Sequence, residues 1–312
     1  MKIGVEKSDL LGNKAILRKK LLTKEKRNII PAMGFLILPL IVFTVFVIIP
    51  VFQAAIFSLY KWKGLGALSN FIGIKNFIDI IKDKIFLRAL TNNFLIVIFS
   101  LIIELPIALI IALAIGRNFK GSIIFRTIFF LPFILSEIIA GVIWLFIYNP
   151  QYGIQNTFIS KIVPGFNTFA FVGDPKLVFM SIFIVIIWKY FGFHMIIYIA
   201  GLQNIPNELE EAAYIDGVNK WQLNWYIILP LLKPALLISV FFSIIGSFQL
   251  FDLVWAISKG GPVHASETMV TYLYNFGFLR FNLGYGSAVA VIIFFICLVF
   301  NILYQKFIMA RE

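Results

Sequence analysis

Apolar and polar stretches alternate along this chain, and the alternation predicts helices that cross a membrane. A helix needs about 20 apolar residues to span a hydrocarbon core of about 30 Å, and six runs come close to or exceed that length. The predicted spans are residues 34–59, 93–115, 128–148, 177–202, 234–256 and 289–308. The expected fold class is therefore all-α, a polytopic membrane protein with six transmembrane helices.

The composition supports a membrane protein. Of 312 residues, 61% are hydrophobic and only 13% are charged, whereas a soluble domain carries about 25% charged residues. The net charge of +12 indicates contact with anionic headgroups of the lipid bilayer, and no nucleic-acid-reading motif accompanies it. The single cysteine, Cys297, has no partner for an internal disulfide, and two histidines are too few for a metal site.

A basic N-terminal tail sets the predicted orientation. Residues 1–33 hold nine Lys and Arg against three acids, and an even number of spans puts both termini on one side. Because Lys and Arg collect on the cytoplasmic side, we expect cytoplasmic N- and C-termini. The apolar run after the tail is too long for the core of a cleaved signal peptide. The predicted domains are this tail and a six-span domain, residues 34–312, in the cell membrane.

One polar island, residues 203–230, lies between the fourth and fifth spans and carries a dense motif. It reads Glu211-Ala212-Ala213, three residues, Gly217, nine residues, and then Ile227-x-Leu229-Pro230. The spacing of apolar residues predicts two short helices broken at Gly217, where glycine allows a left-handed backbone. We expect Leu209, Ala212 and Ala213 to form one exposed stripe whose small side chains allow another protein to approach closely.

This motif resembles the signature loop of permease subunits of ATP-binding-cassette (ABC) importers, and every fixed position of that pattern is filled. Residues 70–77 and Gly260-Gly261-Pro262 also resemble segments of the family. In the family, the loop is a cytoplasmic coupling helix that docks into a cleft of the ATPase. The resemblance assigns ATPase coupling to Glu211, Ala212, Ala213, Gly217, Leu229 and Pro230. The alternative is an ordinary cytoplasmic helical hairpin without a partner.

The resemblance, which is strongest to the carbohydrate-uptake branch with its maltose- and glycerol-phosphate-type permeases, also implies partners. These are a second homologous permease subunit in a heterodimer, two ATP-binding subunits and an extracellular solute-binding protein. The chain contains no GxxxxGK[ST] phosphate-binding loop. It is therefore expected to be a transport subunit rather than an enzyme and to bind no cofactor, with ATP and Mg used by the partner ATPase.

Ionisable residues inside a membrane are costly and usually functional. Lys189 lies about 20 Å along the fourth span from its inner end, and Gln249 and Asp252 lie about 22 Å and 27 Å along the fifth. We expect Lys189 to extend outward to Asp252 or Gln249. The alternative is that Lys189 and Asp252 form only a structural pair. Glu104 and Glu137 are interpreted as helix-packing or subunit-interface groups.

A sugar site combines aromatic faces with a few hydrogen-bonding groups, and the resemblance places such a pocket on the fourth and fifth spans. The candidates are Trp188, Lys189, Tyr190, Phe193, Ser247, Gln249 and Asp252, of which Trp188 fits best. The flanking residues are not fixed in the family, so sugars, glycerol phosphate and polyols all stay open. Lys189 favours an acidic solute unless Asp252 cancels its charge.

The sequence leaves three functions open. The first is the permease of an ABC importer that moves a sugar or sugar-derived solute by alternating access. The second is an ion-coupled secondary transporter with Glu104, Glu137 and Asp252 as relay groups, which predicts inverted repeats that the sequence does not show. The third is a membrane scaffold without transport activity.

Overall fold

The computed structural model describes residues 34–116, 121–162 and 169–308, so the predicted basic tail lies outside the described residues. Within these ranges the regular elements are helices, and an isolated antiparallel bridge joins Tyr60 and Phe71. The chain divides into two compact units, residues 1–56 and residues 57–312, which are described separately below.

The first unit contains most of helix α1, Gly34–Phe57. A π-helical turn, Thr44–Ile48, interrupts its regular hydrogen bonding. The helix has 24 residues and is apolar enough to cross a membrane. Its length arises from an unbroken apolar sequence, and its end agrees with that of the first predicted span to within two residues.

The second unit contains twelve helices in its described residues. They are α2 Lys75–Lys82, α3 Lys84–Ile115, α4 Ser122–Ile134, α5 Glu137–Ile147, α6 Ile154–Ile162, α7 Val178–Gln203, α8 Asn207–Ile215, α9 Lys220–Leu231, α10 Lys233–Gln249, α11 Asp252–Ile257, α12 Met269–Leu273 and α13 Leu283–Phe307. Helix α12 continues as a π-helical segment, Tyr274–Phe278. Across the described ranges, α1, α3, α7 and α13 are each long and apolar enough to cross a membrane. The bent pairs α4–α5 and α9–α10 raise that number to six if each pair is one crossing.

Two of the predicted spans are not continuous helices. The run at residues 128–148 bends by 98° between α4 and α5. Pro132 removes an N–H from the last turn of α4, and the Ser136 hydroxyl accepts a hydrogen bond from Ile139 N (3.3 Å) to start α5. The run at residues 234–256 is also broken, because α10 ends at Gln249 and α11 begins only at Asp252.

Two other helices begin earlier than predicted. Helix α3 starts at Lys84 because the Asp83 carboxylate caps it, accepting a hydrogen bond from Ile85 N (2.7 Å). Helix α13 starts at Leu283 rather than at residue 289. Hydropathy alone misses both starts, because Lys84 and Arg88 interrupt the apolar first turns of α3 and the glycines Gly284 and Gly286 lie in the first turns of α13. Helix α7, in contrast, agrees with its predicted bounds to within one residue.

Three apolar clusters form the core of the second unit, and α3 contributes to each of them through Ile96, Ala108 and Val97. Helix α7 contributes to the first two clusters. Ala108 and Ala112 of α3 are fully buried in the second cluster, where small side chains allow close helix approach. The pair α3 and α7 is therefore the centre of this unit.

Buried amides tie α3 to elements far along the chain. Asn92 Nδ2 donates to the Glu267 carbonyl (2.8 Å), and Asn93 Nδ2 donates to the Ser247 carbonyl (2.6 Å). The Asn93 Oδ1 atom accepts a hydrogen bond from Met269 N (2.8 Å). Because these groups satisfy the backbone where helices start and stop, they fix the position of α10 and α12 relative to α3.

A buried tyrosine adds a further link beside α12. The Tyr272 hydroxyl donates to the Asp83 carboxylate (2.7 Å) and lies 2.7 Å from the Tyr285 hydroxyl. Burial is the main cause that raises the pKa of Tyr272 above its ordinary value, and the hydrogen bonds to Tyr285 and Asp83 raise it further. The phenol therefore stays protonated and remains a donor to the residue that caps α3.

The close approach of α4 and α7 generates a first prediction. A methyl group at Gly192 would collide with the Phe129 carbonyl oxygen and lie 3.1 Å from Phe130 Cα. Gly192→Ala should therefore lower the free energy of unfolding by about 1–3 kcal/mol, measured as a lower midpoint of thermal unfolding in detergent. Gly246→Ala is the matched control, because nothing lies within 4 Å of the added methyl group. A Gly192→Ala protein as stable as this control would contradict the packing described here.

Candidate functional site

A cavity of about 320 Å³ lies where the two helix breaks meet α3 and α7, a volume within the range of small-molecule sites. Aromatic, hydroxyl, amide and carboxyl groups line it together. The lining residues are Ile96, Ser100, Glu104, Phe133, Glu137, Ile186, Tyr190, Phe193, His194, Phe242, Ser243, Gly246, Ser247, Gln249, Leu250, Phe251 and Asp252.

Five of the seven predicted pocket residues line this cavity: Tyr190, Phe193, Ser247, Gln249 and Asp252. Tyr190 and Phe193 come from α7, and Ser247 and Gln249 come from the last turn of α10. Asp252 is the first residue of α11. Because the helix is broken at residues 250–251, the Gln249 amide and the Asp252 carboxylate reach the cavity from two different helices.

The other two candidates, Trp188 and Lys189, are not among the lining residues. Trp188 packs edge-on against Trp144, with ring centroids 5.6 Å apart, in the first apolar cluster. Lys189 is buried on the side of α7 that faces α4. Both side chains support the wall of the cavity from behind.

The predicted contact of Lys189 with Asp252 or Gln249 is wrong. The Lys189 ammonium donates to the Leu135 carbonyl (2.5 Å) and lies 3.4 Å from two further carbonyl oxygens, those of Pro132 and Phe133. The last carbonyls of a helix have no partner within it, and the break after α4 leaves these groups beside α7. The Lys189 ammonium group therefore satisfies backbone carbonyls at the end of α4 rather than a side chain of the cavity.

Glu137, at the start of α5, joins three elements around the cavity. One of its carboxylate oxygens accepts a hydrogen bond from the Tyr190 hydroxyl of α7, and the other accepts one from Leu253 N in the first turn of α11 (3.3 Å). An acidic group is favourable at the start of a helix. This carboxylate therefore holds the break before α11 against α5 and α7.

Glu104 and His194 form a second polar group on the cavity wall. Glu104 lies in a π-helical turn of α3 and is 2% exposed. His194 Nε2 lies 3.6 Å from Glu104 Oε1, and His194 Nδ1 lies 2.6 Å from the Ser239 hydroxyl. Glu104 Oε1 and the buried hydroxyl of Ser243 have no hydrogen-bond partner among the described residues. Such atoms in a cavity wall point to a bound group that completes them.

Sequence reasoning missed five polar residues of the lining as pocket groups: Ser100, Glu104, Glu137, His194 and Ser243. The signal for the two glutamates was present, because an ionisable group in an apolar run is a functional candidate in its own right. Ser243 lies one turn before the predicted Ser247 and shares its helix face. In the described part of the chain, no group of three or more His, Cys, Asp or Glu side chains is placed to hold a metal ion.

The polar island at residues 203–230 folds as the two short helices α8 and α9, as predicted. Gly217 has φ +81°, so the prediction of a left-handed residue is confirmed. Gly217 N donates to the Tyr214 carbonyl (3.1 Å) and Val218 N to the Ala213 carbonyl (3.0 Å), the hydrogen bonds of a Schellman end. A side chain at Gly217 would be strained in this conformation.

The predicted exposed stripe of α8 is only partly present. Glu211, Ala212 and Leu209 are exposed, but Ala213 is buried among residues of α7, α9 and α10. The reason is the Schellman end, which brings Val218 and Ala213 into the second apolar cluster together. The adjacent motif residues Leu229 and Pro230 are half-buried and exposed, respectively.

Large apolar side chains surround the exposed face of this loop. Ile215 is 86% exposed, and Trp221 and Trp225 are exposed with ring centroids 5.4 Å apart. Tyr214 and Tyr226 are exposed as well. Contiguous exposed apolar residues of this kind mark interaction surfaces.

Residues 104–308 match the family described as "Binding-protein-dependent transport system inner membrane component". The matched region contains the polar island and all but two of the residues that line the cavity. The likeness therefore covers both candidate sites.

Individual relatives match almost the whole chain. A probable ABC transporter permease of Bacillus subtilis, YurN, is 35% identical over 90% of this chain and 97% of its own. The diacetylchitobiose uptake permease NgcF of Streptomyces coelicolor is 32% identical over 86% and 79%. The sn-glycerol-3-phosphate permease UgpA of Agrobacterium fabrum is 30% identical over 88% and 94%.

The fold is also similar to that of a solved transporter. A bacterial ABC transporter for import of the acidic polysaccharide alginate has a chain with TM-score 0.78 and 23% identity, covering 93% of this chain and 99% of that chain. The helix arrangement is therefore shared with a known ABC transporter.

The position of Lys189 gives a second prediction. Lys189→Met keeps the length of the side chain but leaves the last carbonyls of α4 without a donor, so stability should fall by about 1–3 kcal/mol. The measurement is thermal unfolding of the purified protein. Lys161→Met, on an exposed position of α6, is the control for loss of one charge. Equal midpoints for the two variants would refute this structural role of Lys189.

Proposed function

The chain belongs to the family of binding-protein-dependent transport system inner membrane components, and from that premise we propose that it imports a sugar or sugar-derived solute through the cavity beside α7. As a member it is the membrane permease subunit of an ABC transporter, an integral inner-membrane protein. ATP hydrolysis belongs to separate subunits, and this subunit is not itself an enzyme.

The lining of the cavity is the observation that supports a sugar-like solute. Tyr190, Phe193 and Phe242 present aromatic faces, on which the C–H face of a sugar ring packs. Ser243, Gln249 and the carboxylates offer partners for sugar hydroxyls. Relatives named for uptake of diacetylchitobiose, sn-glycerol 3-phosphate and multiple sugars support the same class of solute.

The proposed roles of the seven pocket candidates follow from their positions. Tyr190, Phe193, Ser247, Gln249 and Asp252 would contact the solute. Trp188 and Lys189 would hold the wall of α7 in place without touching it. Glu104 and Ser243 join the first group.

The loop formed by α8 and α9 is the proposed contact with the ATPase. Its outer surface offers Glu211 and Ala212 between exposed aromatic residues. On its inner side, Ala213, Leu223 and Ile228 pack in one cluster with α7 and α10. A displacement of the loop would therefore move two walls of the cavity. Gly217 shapes the turn, and Leu229 and Pro230 lead into the bend between α9 and α10.

The proposed transporter has six crossings in this subunit and several partner subunits. The pair α4–α5 would form one crossing, and α10 with α11 would form another, which gives six together with α1, α3, α7 and α13. The termini and the α8–α9 loop would lie in the cytoplasm. A second, similar permease would complete the channel in a heterodimer. Two ATPase subunits, using ATP and Mg, would drive the cycle, and an extracellular binding protein would deliver the solute. Alternating access requires that the two states of the cavity differ in affinity for the solute.

Charge reversal at Glu211 tests the docking contact. Glu211 is exposed, so Glu211→Lys should leave folding intact and reduce ATP-driven uptake at least tenfold, while basal ATP hydrolysis continues. The assay is uptake, in proteoliposomes of the whole transporter, of the solute that its binding protein is found to carry. Asp79→Lys reverses an exposed acid on α2 and should transport normally.

Two further arms complete this test. Gly217→Pro cannot adopt φ +81° and should uncouple the transporter in the same way. An ionophore should leave uptake unchanged, since ATP rather than an ion gradient drives the cycle. Normal uptake by both loop variants would refute docking at this loop, and uptake abolished by the ionophore at constant ATP would favour an ion-coupled transporter.

A further inference from the structure

The lining of the cavity is rich in acidic side chains. Glu104, Glu137 and Asp252 line it, and no Lys or Arg is found among the described residues of its lining. The nearby Lys189 ammonium interacts electrostatically with Glu137 but is hydrogen-bonded to backbone carbonyls behind the wall. With Lys189 counted against Glu137, the exposed carboxylate of Asp252 remains. The Glu104 carboxyl group is buried, and burial favours its neutral form unless a cation lies beside it.

Two buried polar atoms that form no hydrogen bond among the described residues mark where a ligand would bind. Glu104 Oε1 is an acceptor whose residue is 2% exposed, and His194 Nε2, at 3.6 Å, is beyond hydrogen-bond distance. The Ser243 hydroxyl belongs to a residue that is 7% exposed. They lie on α3 and α10, respectively, and both residues line the cavity. A buried acceptor of this kind is completed by a donor group of the ligand, and a charged donor gives the strongest such bond.

The other two carboxylates differ in how much of their bonding capacity is used. Glu137 already accepts hydrogen bonds from Tyr190 and from Leu253 N. Asp252 is exposed and begins α11. The available acidic groups are therefore Glu104 inside the wall and Asp252 at its accessible side.

We propose that the transported solute is an amino sugar, a hydroxyl-rich ring that carries an ammonium group. This inference rests on the function proposed above, because it takes the cavity to be the solute site. The ammonium group would bind the carboxylates of Glu104 and Asp252, and the Ser243 hydroxyl would bind a ring hydroxyl. An anionic sugar would place its carboxylate or phosphate beside like charges in a partly desolvated site, which is unfavourable.

The experiment compares three sugars that share one ring and differ in charge. The probes are D-glucosamine, D-glucose and D-glucuronate, titrated against the full-length chain in detergent at pH 7 and monitored by saturation-transfer NMR. D-Glucosamine should bind at least tenfold more tightly than either of the others. A preference for D-glucuronate, or dissociation constants within a factor of three for all three sugars, would overturn the proposal.

Variants assign any preference to this cavity. Asp252→Asn and Glu104→Gln should each reduce the ratio of glucosamine to glucose affinity at least threefold. Asp79→Asn removes the same charge at an exposed position of α2 and should leave the ratio unchanged. Because Asp252 is exposed, its variant gives a result even if Glu104→Gln fails to fold. An unchanged ratio in Asp252→Asn would place the selectivity elsewhere and refute the assignment.

The result of this binding experiment can refute the amino-sugar assignment without refuting the proposed transport function. It uses neither ATP nor the binding protein, so a wrong charge preference with normal ATP-driven uptake would refute only the amino-sugar assignment. If the wild-type transporter showed no ATP-driven uptake, the transport proposal would be refuted whichever sugar binds most tightly.

Discussion

The structure depends on how it satisfies backbone groups at helix ends that occur inside apolar surroundings. A helix that stops there leaves carbonyl and N–H groups without partners, and each such group is costly in the absence of water. Two buried side chains, Lys189 and Asn93, and the half-buried Glu137 perform this task here. Lys189 binds the carbonyls at the end of α4, Asn93 binds the Ser247 carbonyl near the end of α10, and Glu137 binds Leu253 N at the start of α11. Without these polar side chains, the broken helices would not be stable.

The same breaks create the cavity. Continuous helices in place of α4–α5 and α10–α11 would present only side chains to α7, whereas the breaks turn the chain and bring Phe133, Glu137, Leu250 and Asp252 to one wall. The polar residues then fall into two groups. Lys189 and Asn93 form hydrogen bonds with the backbone. Glu104 and Ser243 each keep one polar atom without a hydrogen-bond partner among the described residues. This division, rather than the residue types alone, decides which groups are available to a solute.

The sequence predicted the features that depend on local pattern. The bounds of α7 follow from one unbroken apolar run, and the two helices around Gly217 follow from a motif within about twenty residues. The breaks were not predictable from hydropathy, because Leu135, Leu250 and Phe251 are as apolar as the helices that they interrupt. The partner of Lys189 could not be predicted either, since its acceptors arise 54 residues earlier in the chain and become available only because α4 ends there. Tyr190 and Phe193 of α7 and Ser247 and Gln249 of α10 were identified as pocket residues, whereas His194 and Ser243 on the same helices were missed. Glu104 and Glu137 stood out as ionisable groups, but their place in the cavity wall depends on tertiary packing.

Two contacts between α4 and α7, at Gly192 and at Lys189, limit how this protein deforms. Gly192 places the backbone of α7 directly against that of α4 at Phe129, and one turn away Lys189 holds the end of the same helix. Two contacts one turn apart oppose both sliding and rotation of α4 against α7. Bending at residues 250–251, by comparison, would break the hydrogen bond from the Thr268 hydroxyl to the Leu250 carbonyl and the one from Leu253 N to the Glu137 carboxylate. It would also disturb the packing of the Phe251 ring on Trp255 and Tyr274.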